Sequence, residues 1–179
     1  MKGIEYPVEA GRRLLLGIVL GIGLLTSIPG FGEEEARLKA AFIYNFTKYV
    51  TWPQDIEQAG GSLRVCVLGT EGYFEELSQL DGREVREFKL EITKLNLSDS
   101  IDSCRVVYAS GLNVRKFLPS TGNLPILTIS DEKDFIDAGG MIGLVTEGRR
   151  IRFDINLGRA RDVGLQISSR LLQLARRVN

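Results

Sequence analysis

The sequence predicts a single-domain α/β fold: a mostly parallel, mixed sheet flanked by helices, with a C-terminal β-hairpin and a long C-terminal helix. Three observations carry this. Helix-like and strand-like segments alternate along the chain. Leu63–Leu68 and Cys104–Ala109 are nearly continuous apolar runs, the pattern of strands buried on both faces, as in a parallel sheet. Met141–Val145 and Arg150–Ile155 flank Glu147-Gly148, a hairpin signal that makes the sheet mixed.

The first segment stands apart from the fold. Lys2, Arg12 and Arg13 precede an apolar run, Leu14–Ile28, which ends at Pro29-Gly30. A basic head, an apolar stretch of about 15 residues and a helix-breaking pair read as a secretory signal peptide. The small residues of Gly30-Phe31-Gly32 place cleavage before Glu33, so residues 1–32 form the signal and 33–179 the domain. The competing readings are an uncleaved membrane anchor, which needs roughly 20 apolar residues, and a buried core helix.

Glu33–Val50 reads as an amphipathic helix with Leu38, Ala41, Phe42, Asn45, Phe46 and Tyr49 on its apolar face. Its early glutamates suit the positive end of the helix dipole, and Thr51-Trp52-Pro53 stops it. Gln54–Ser62 reads as a loop. Strand Leu63–Leu68 follows, then a short helix, Tyr73–Leu80. Phe88–Leu95 alternates apolar and polar residues, a half-exposed strand. Strand Cys104–Ala109 leads to a helix near Val114–Leu118. Pro125–Ile129 is the next strand, with Asp131 as cap for a helix over Glu132–Ala138. After the hairpin, Ala160, Val163, Ile167, Leu171, Leu174 and Val178 mark the long terminal helix, capped by Asn156.

Composition narrows the chemistry. The 179 residues carry 23 Lys and Arg against 23 Asp and Glu, which argues against a dedicated nucleic-acid binder. Without residues 1–32 the balance is 20 basic to 21 acidic. There is no histidine, which removes Ser-His-Asp and Cys-His catalysis and His-ligated zinc. Cys66 and Cys104 are too few for a four-thiolate metal site. Export to an oxidising compartment favours a disulfide between them; the alternative is two buried free thiols. Asp131 and Asp134 are carboxylates without a nucleophile placed beside them, so the sequence reads as a non-enzyme with no cofactor.

Several residues are candidates for binding. Asn45 is an amide on a face otherwise apolar, either satisfied by backbone or offered to a ligand. Trp52 is an exposed partner anchor or a ring packed over the sheet edge. Arg150, Arg152 and Arg159 sit in a cationic region that suits an acidic partner or forms a solvated face paired to Asp154 and Asp162. Gly69, Thr70, Ser110 and Ser130 follow strands at their carboxyl ends, where open α/β sheets tend to hold small ligands.

Three stretches carry a family resemblance: Leu38–Pro53 (LKAAFIYNFTKYVTWP), the hairpin region Gly139–Val145 with Arg150–Leu157, and Gly164–Leu172 (GLQISSRLL). Together they resemble the YfiR family of periplasmic regulatory proteins, in order and over nearly the whole domain. The resemblance implies a periplasmic α/β domain with a structural disulfide. It implies a protein that binds and represses an inner-membrane diguanylate cyclase in cyclic di-GMP signalling, with an outer-membrane lipoprotein relieving the repression. A relative feeding a sensor histidine kinase as a small-ligand sensor is the alternative. A homodimer is a further expectation. The second cysteine pair of some members has no counterpart here.

Overall fold

In a computed structural model of the chain, the structure describes residues 31–69, 71–111 and 117–179. The expected signal peptide, Thr70 and most of the helix expected near Val114–Leu118 lie outside them. Helix α1 (Phe31–Tyr49) leads into a short strand, β1 (Val50–Thr51), and helix α2 (Gln54–Ala59). Then come β2 (Gly61–Leu68), α3 (Glu71–Ser78), β3 (Glu84–Val85), β4 (Phe88–Lys94) and β5 (Val106–Ala109). A 3-10 turn, Leu118–Thr121, precedes β6 (Leu127–Ser130), β7 (Ile142–Glu147) and β8 (Arg150–Ile155). The chain closes with α4 (Leu157–Asp162), β9 (Gln166–Ile167), α5 (Ser169–Leu174) and β10 (Arg177–Val178).

The main sheet has the order β10-β8-β7-β6-β5-β2-β4-β3. Its centre, β4-β2-β5-β6-β7, is parallel throughout. The β7–β8 hairpin is antiparallel, with Glu147 opposite Arg150 at its tip. The α/β fold with a mostly parallel mixed sheet is as the sequence predicts. Burial on both faces follows the period of two along the strands. Leu63, Val65 and Val67 of β2, with Val106 and Tyr108 of β5, join the core under α1. Cys66, Leu68, Val107 and Ala109 join a second core on the opposite face. The Cys66–Cys104 disulfide is formed within that second core, with the Cα atoms 5.9 Å apart.

Four local expectations need correction. The buried face of α1 is shifted by one position from the one predicted: Ala36, Lys39, Ala40, Ile43, Phe46, Thr47 and Val50 are buried, while Ala41 and Asn45 are exposed. The apolar count favoured the wrong face because Lys39 and Thr47 are buried with their polar atoms satisfied.

The loop expected over Gln54–Ser62 contains α2, started by Pro53, whose carbonyl accepts from Ile56 N and Glu57 N.

No helix forms over Glu132–Ala138; the segment is a series of turns in which Asp134 has φ 60°. Ser130 Oγ, rather than Asp131, accepts from Glu132 N at 3.0 Å. The turns let Phe135 and Ile136 both enter the second core, with the Phe135 ring so close to Gly140 that a Cβ there would lie 2.3 Å from it.

The long terminal helix is two short ones. Asn156 Oδ1 accepts from Arg159 N at 2.9 Å, capping α4 as predicted. Gly164 then takes φ 78°, and Gly164 N and Leu165 N donate to the carbonyls of Arg161 and Ala160. This is a Schellman stop. It frees Ile167 to pair with Val50 in the β1–β9 ladder, before Ser168 caps α5. Ala160, Val163, Ile167 and Leu171 of the predicted stripe still face one core, from helix and strand alike, while Leu174 and Val178 are exposed.

Candidate functional site

The carboxyl ends of β2, β5 and β6 lie side by side, with Leu68 opposite Ala109 and Ala109 opposite Ser130. Gly69 follows β2 with φ 138°, and a Cβ there would lie 2.3 Å from the Ser110 carbonyl oxygen. Only glycine allows that approach. The topology therefore brings Gly69, Ser110 and Ser130 to one edge, as expected for residues at strand ends. Ser130 Oγ is used locally by the Glu132 amide.

Asp131 is the centre of this edge. Its Oδ2 accepts from Lys39 Nζ at 2.6 Å, from Tyr108 OH at 3.2 Å and from Ser110 Oγ at 3.2 Å. Lys39 reaches it from α1 and is almost fully buried, with 4% of its side chain exposed. The ammonium also meets Glu35 Oε1 at 2.7 Å and Tyr73 OH at 3.1 Å. Its three donors thus have three oxygen partners. Glu35 Oε1 accepts in addition from Thr146 Oγ1 of β7 at 2.8 Å. The Tyr73 ring meets Tyr108 edge-on at 5.5 Å and lies 5.0 Å from Lys39 Nζ. The ammonium therefore ties α1 to α3 and the β6 end directly, to β5 through Asp131, and to the hairpin through Glu35.

The electrostatics follow from that wiring. Burial alone would lower the Lys39 pKa, but its bonds to Asp131, Glu35 and Tyr73 outweigh burial and raise it. The Lys39 bond holds the Glu35 carboxyl below its ordinary value. Burial, aided by the Asp131 charge, pushes the Tyr108 phenol up. Lys39 is thus a fixed cation, and the phenol a donor rather than a base. This arrangement holds two carboxylates in place on one ammonium.

A crevice of about 490 Å³ opens beside the cluster, lined by Glu35, Lys39, Asp131, Gly143, Asp154 and Arg176 among others. At its far side Asp154 is buried and held by Arg176, Nε to Oδ1 at 2.8 Å and Nη2 to Oδ2 at 2.6 Å. Arg177 Nε approaches Oδ2 at 3.6 Å. That fork, set against desolvation, lowers the Asp154 pKa.

The remaining predicted residues fall elsewhere. Trp52 is 2% exposed, and its Nε1 donates to the Arg105 carbonyl at 3.3 Å. A ring so enclosed offers no partner anchor. Arg150 and Arg152 lie on the exposed face of β8. Asp154, on the same face, pairs with Arg176 and Arg177 instead of with them. Arg159 is half-buried and donates to the Gly122 carbonyl.

Sequence reasoning missed Lys39, Glu35, Tyr73, Arg176 and Arg177. One signal was available: Lys39 stands four residues after Glu35, inside the true apolar stripe. The last two arginines reach Asp154 only because the terminal helix breaks.

Fold and cluster together define a small α/β domain with a doubly covered parallel sheet and a polar centre at the strand ends in which one buried ammonium is shared by two carboxylates. The chain belongs to the YfiR/HmsC-like family, whose model matches residues 36–176. Proteins of this family are periplasmic regulators. Two solved structures are similar in fold. One is a conserved domain protein from Vibrio cholerae O1 biovar El Tor strain N16961, 12% identical with a TM-score of 0.50. The other is an ABC domain in complex with L-Trp from Streptococcus pneumonia, 9% identical with a TM-score of 0.50. Each comparison covers 80% of this chain and 60% of the other, so this chain spans less than two thirds of their length.

Proposed function

We propose that the chain is an exported periplasmic regulator that binds the sensory region of an inner-membrane diguanylate cyclase and represses it. Family membership over residues 36–176 carries this reading. The basic and apolar head of residues 1–32 supports export, with residues 33–179 as the working domain. The Cys66–Cys104 bridge suits an oxidising compartment. Repression by contact needs only a shift in the enzyme's conformational populations, since the partner need not be chemically altered. An outer-membrane lipoprotein that sequesters the regulator would relieve it.

The mature domain, immobilised and incubated with detergent-solubilised inner membranes, should retain a diguanylate cyclase. Deleting the gene should raise cellular cyclic di-GMP. Unchanged cyclic di-GMP with no cyclase retained overturns the proposal.

A second reading, a small-ligand sensor feeding a sensor histidine kinase, is favoured by the crevice beside Asp131. It predicts a rise in melting temperature with some member of an amino-acid and nucleotide panel. A flat response across the panel removes it.

A further inference from the structure

The exposed side of α1 faces α3 across a groove of about 280 Å³. Tyr44, Ala41 and Leu80 make its apolar part, with Arg37, Asn45 and Arg83 also lining it. This is where the structure places Asn45, the amide singled out in the sequence. The Tyr44 hydroxyl donates to the Glu84 carbonyl at 3.3 Å. Lys48 Nζ lies 4.0 Å from the Tyr44 ring centroid and Arg83 Cζ 4.9 Å from it.

Charge gathered on an aromatic ring is what distinguishes this groove. Lys39, Arg64, Arg86, Arg176 and Arg177 each have a carboxylate partner. Among the described residues, Arg37, Lys48 and Arg83 have none, and neither do others such as Arg149, Arg150 and Arg152 of the hairpin; what sets the groove apart is that two such cations, Lys48 and Arg83, share the Tyr44 ring. Glu76 is the one carboxylate that lines the groove beside Arg37 and Arg83. Two cations, Lys48 and Arg83, therefore share one aromatic ring, with Arg37 on the same groove, on a chain whose overall charge is balanced. The volume is below the range of ordinary small-molecule sites, roughly 300–1,000 Å³. It suits one or two side chains of a protein partner.

We propose that the α1–α3 groove is the docking site for an acidic segment of a partner protein, which seats an apolar side chain against Tyr44 and Leu80 and sets carboxylates against Arg37, Lys48 and Arg83. Guanidinium forks match carboxylate geometry, and an aromatic floor between cations supplies the apolar contact. The inference deepens the regulatory reading by naming the surface and the chemistry of the partner.

The test uses the full exported domain and a synthetic peptide with one phenylalanine flanked on each side by glutamates. Binding is followed by calorimetry at low and at 0.5 M salt. The peptide should bind at low salt and weaken steeply at high salt, because exposed charges are screened beyond roughly 10 Å at 0.1 M. Arg37→Glu/Arg83→Glu should weaken it about tenfold or more, with an unchanged melting curve, since both residues are exposed. Arg150→Glu/Arg152→Glu should leave it unaltered.

Equal binding by the Arg37→Glu/Arg83→Glu variant, or no binding by the parent domain, overturns the proposal. So does preference for phosphatidylglycerol vesicles over the peptide, which would assign the groove to a membrane surface. Self-association abolished by the same variant would assign it to a second copy. If the cyclase of the preceding section is retained equally by the parent and this variant, the regulatory reading stands and the groove assignment fails.

Discussion

Lys39 Nζ and Asp131 Oδ2 are 2.6 Å apart across 92 residues of sequence, inside a protein where both side chains are mostly shielded from water. The contact joins the first helix to the end of β6. Removing one member of a buried pair leaves an unpaired charge, at a cost of about 3–5 kcal/mol. Lys39→Met should therefore lower the urea-unfolding free energy by that order. Adding Asp131→Asn should recover part of the loss. A double-mutant cycle giving no coupling would show that the two act independently.

Acid should weaken the fold in a defined window. Glu35 and Asp154 both have carboxyl groups held below their ordinary values by Lys39 and Arg176. A depressed folded-state pKa adds stability above the unfolded value, about 4, and that stability is lost as pH falls through the lower folded value. Urea midpoints should be level from pH 7 to about 5 and decline below. Asp154→Asn should flatten the decline by removing its share.

The disulfide closes a loop spanning a separation of 38 residues. Replacing Cys66 and Cys104 together by alanine should cost roughly 4 kcal/mol on the chain-entropy model. Thiol labelling of the unfolded, unreduced protein should find both cysteines blocked. Calorimetric melting of the double variant measures the stability term.

Gly69 and Gly148 separate two effects of a side chain at positive φ. Gly148→Ala, with open space around the new Cβ, should cost about 1–2 kcal/mol for the left-handed backbone alone. Gly69→Ala adds a collision with the Ser110 carbonyl and should cost at least about 2 kcal/mol. It should also disturb the Ser110–Asp131 bond. Thermal melts of the two variants side by side give the difference.

Intact-mass measurement of the exported chain should give a form beginning near Glu33. A mass equal to the full 179 residues would establish an uncleaved anchor instead.

The strand pattern was legible because it is local. Continuous apolar runs at Leu63–Leu68 and Cys104–Ala109 announce strands covered on both faces, and a period of two assigns each side chain to one core or the other. Asn156 announced its cap, and Glu147-Gly148 its hairpin. The terminal helix was misread for an equally local reason: apolar spacing does not report that Gly164 turns the chain back or that Ile167 pairs with Val50. The face of α1 was misread because Lys39 counts as polar until its partners are known.

By itself, then, the sequence determined the α/β class, the parallel sheet and the three motifs that mark the family, and it favoured the cysteine pair as a staple. Those depend on periodicity and on residue chemistry, which are properties of neighbours along the chain. The tertiary structure alone decided which polar residues are interior. Glu35, Lys39, Tyr73, Tyr108, Ser110 and Asp131 converge because the packing of α1 and α3 against the sheet brings distant segments together. A charge can be buried only where opposite charge and donors meet it in three dimensions. The same condition leaves Arg37 and Lys48 on the outer side of α1, and Arg83 across the groove from it, without carboxylates, which makes that side a candidate for contact.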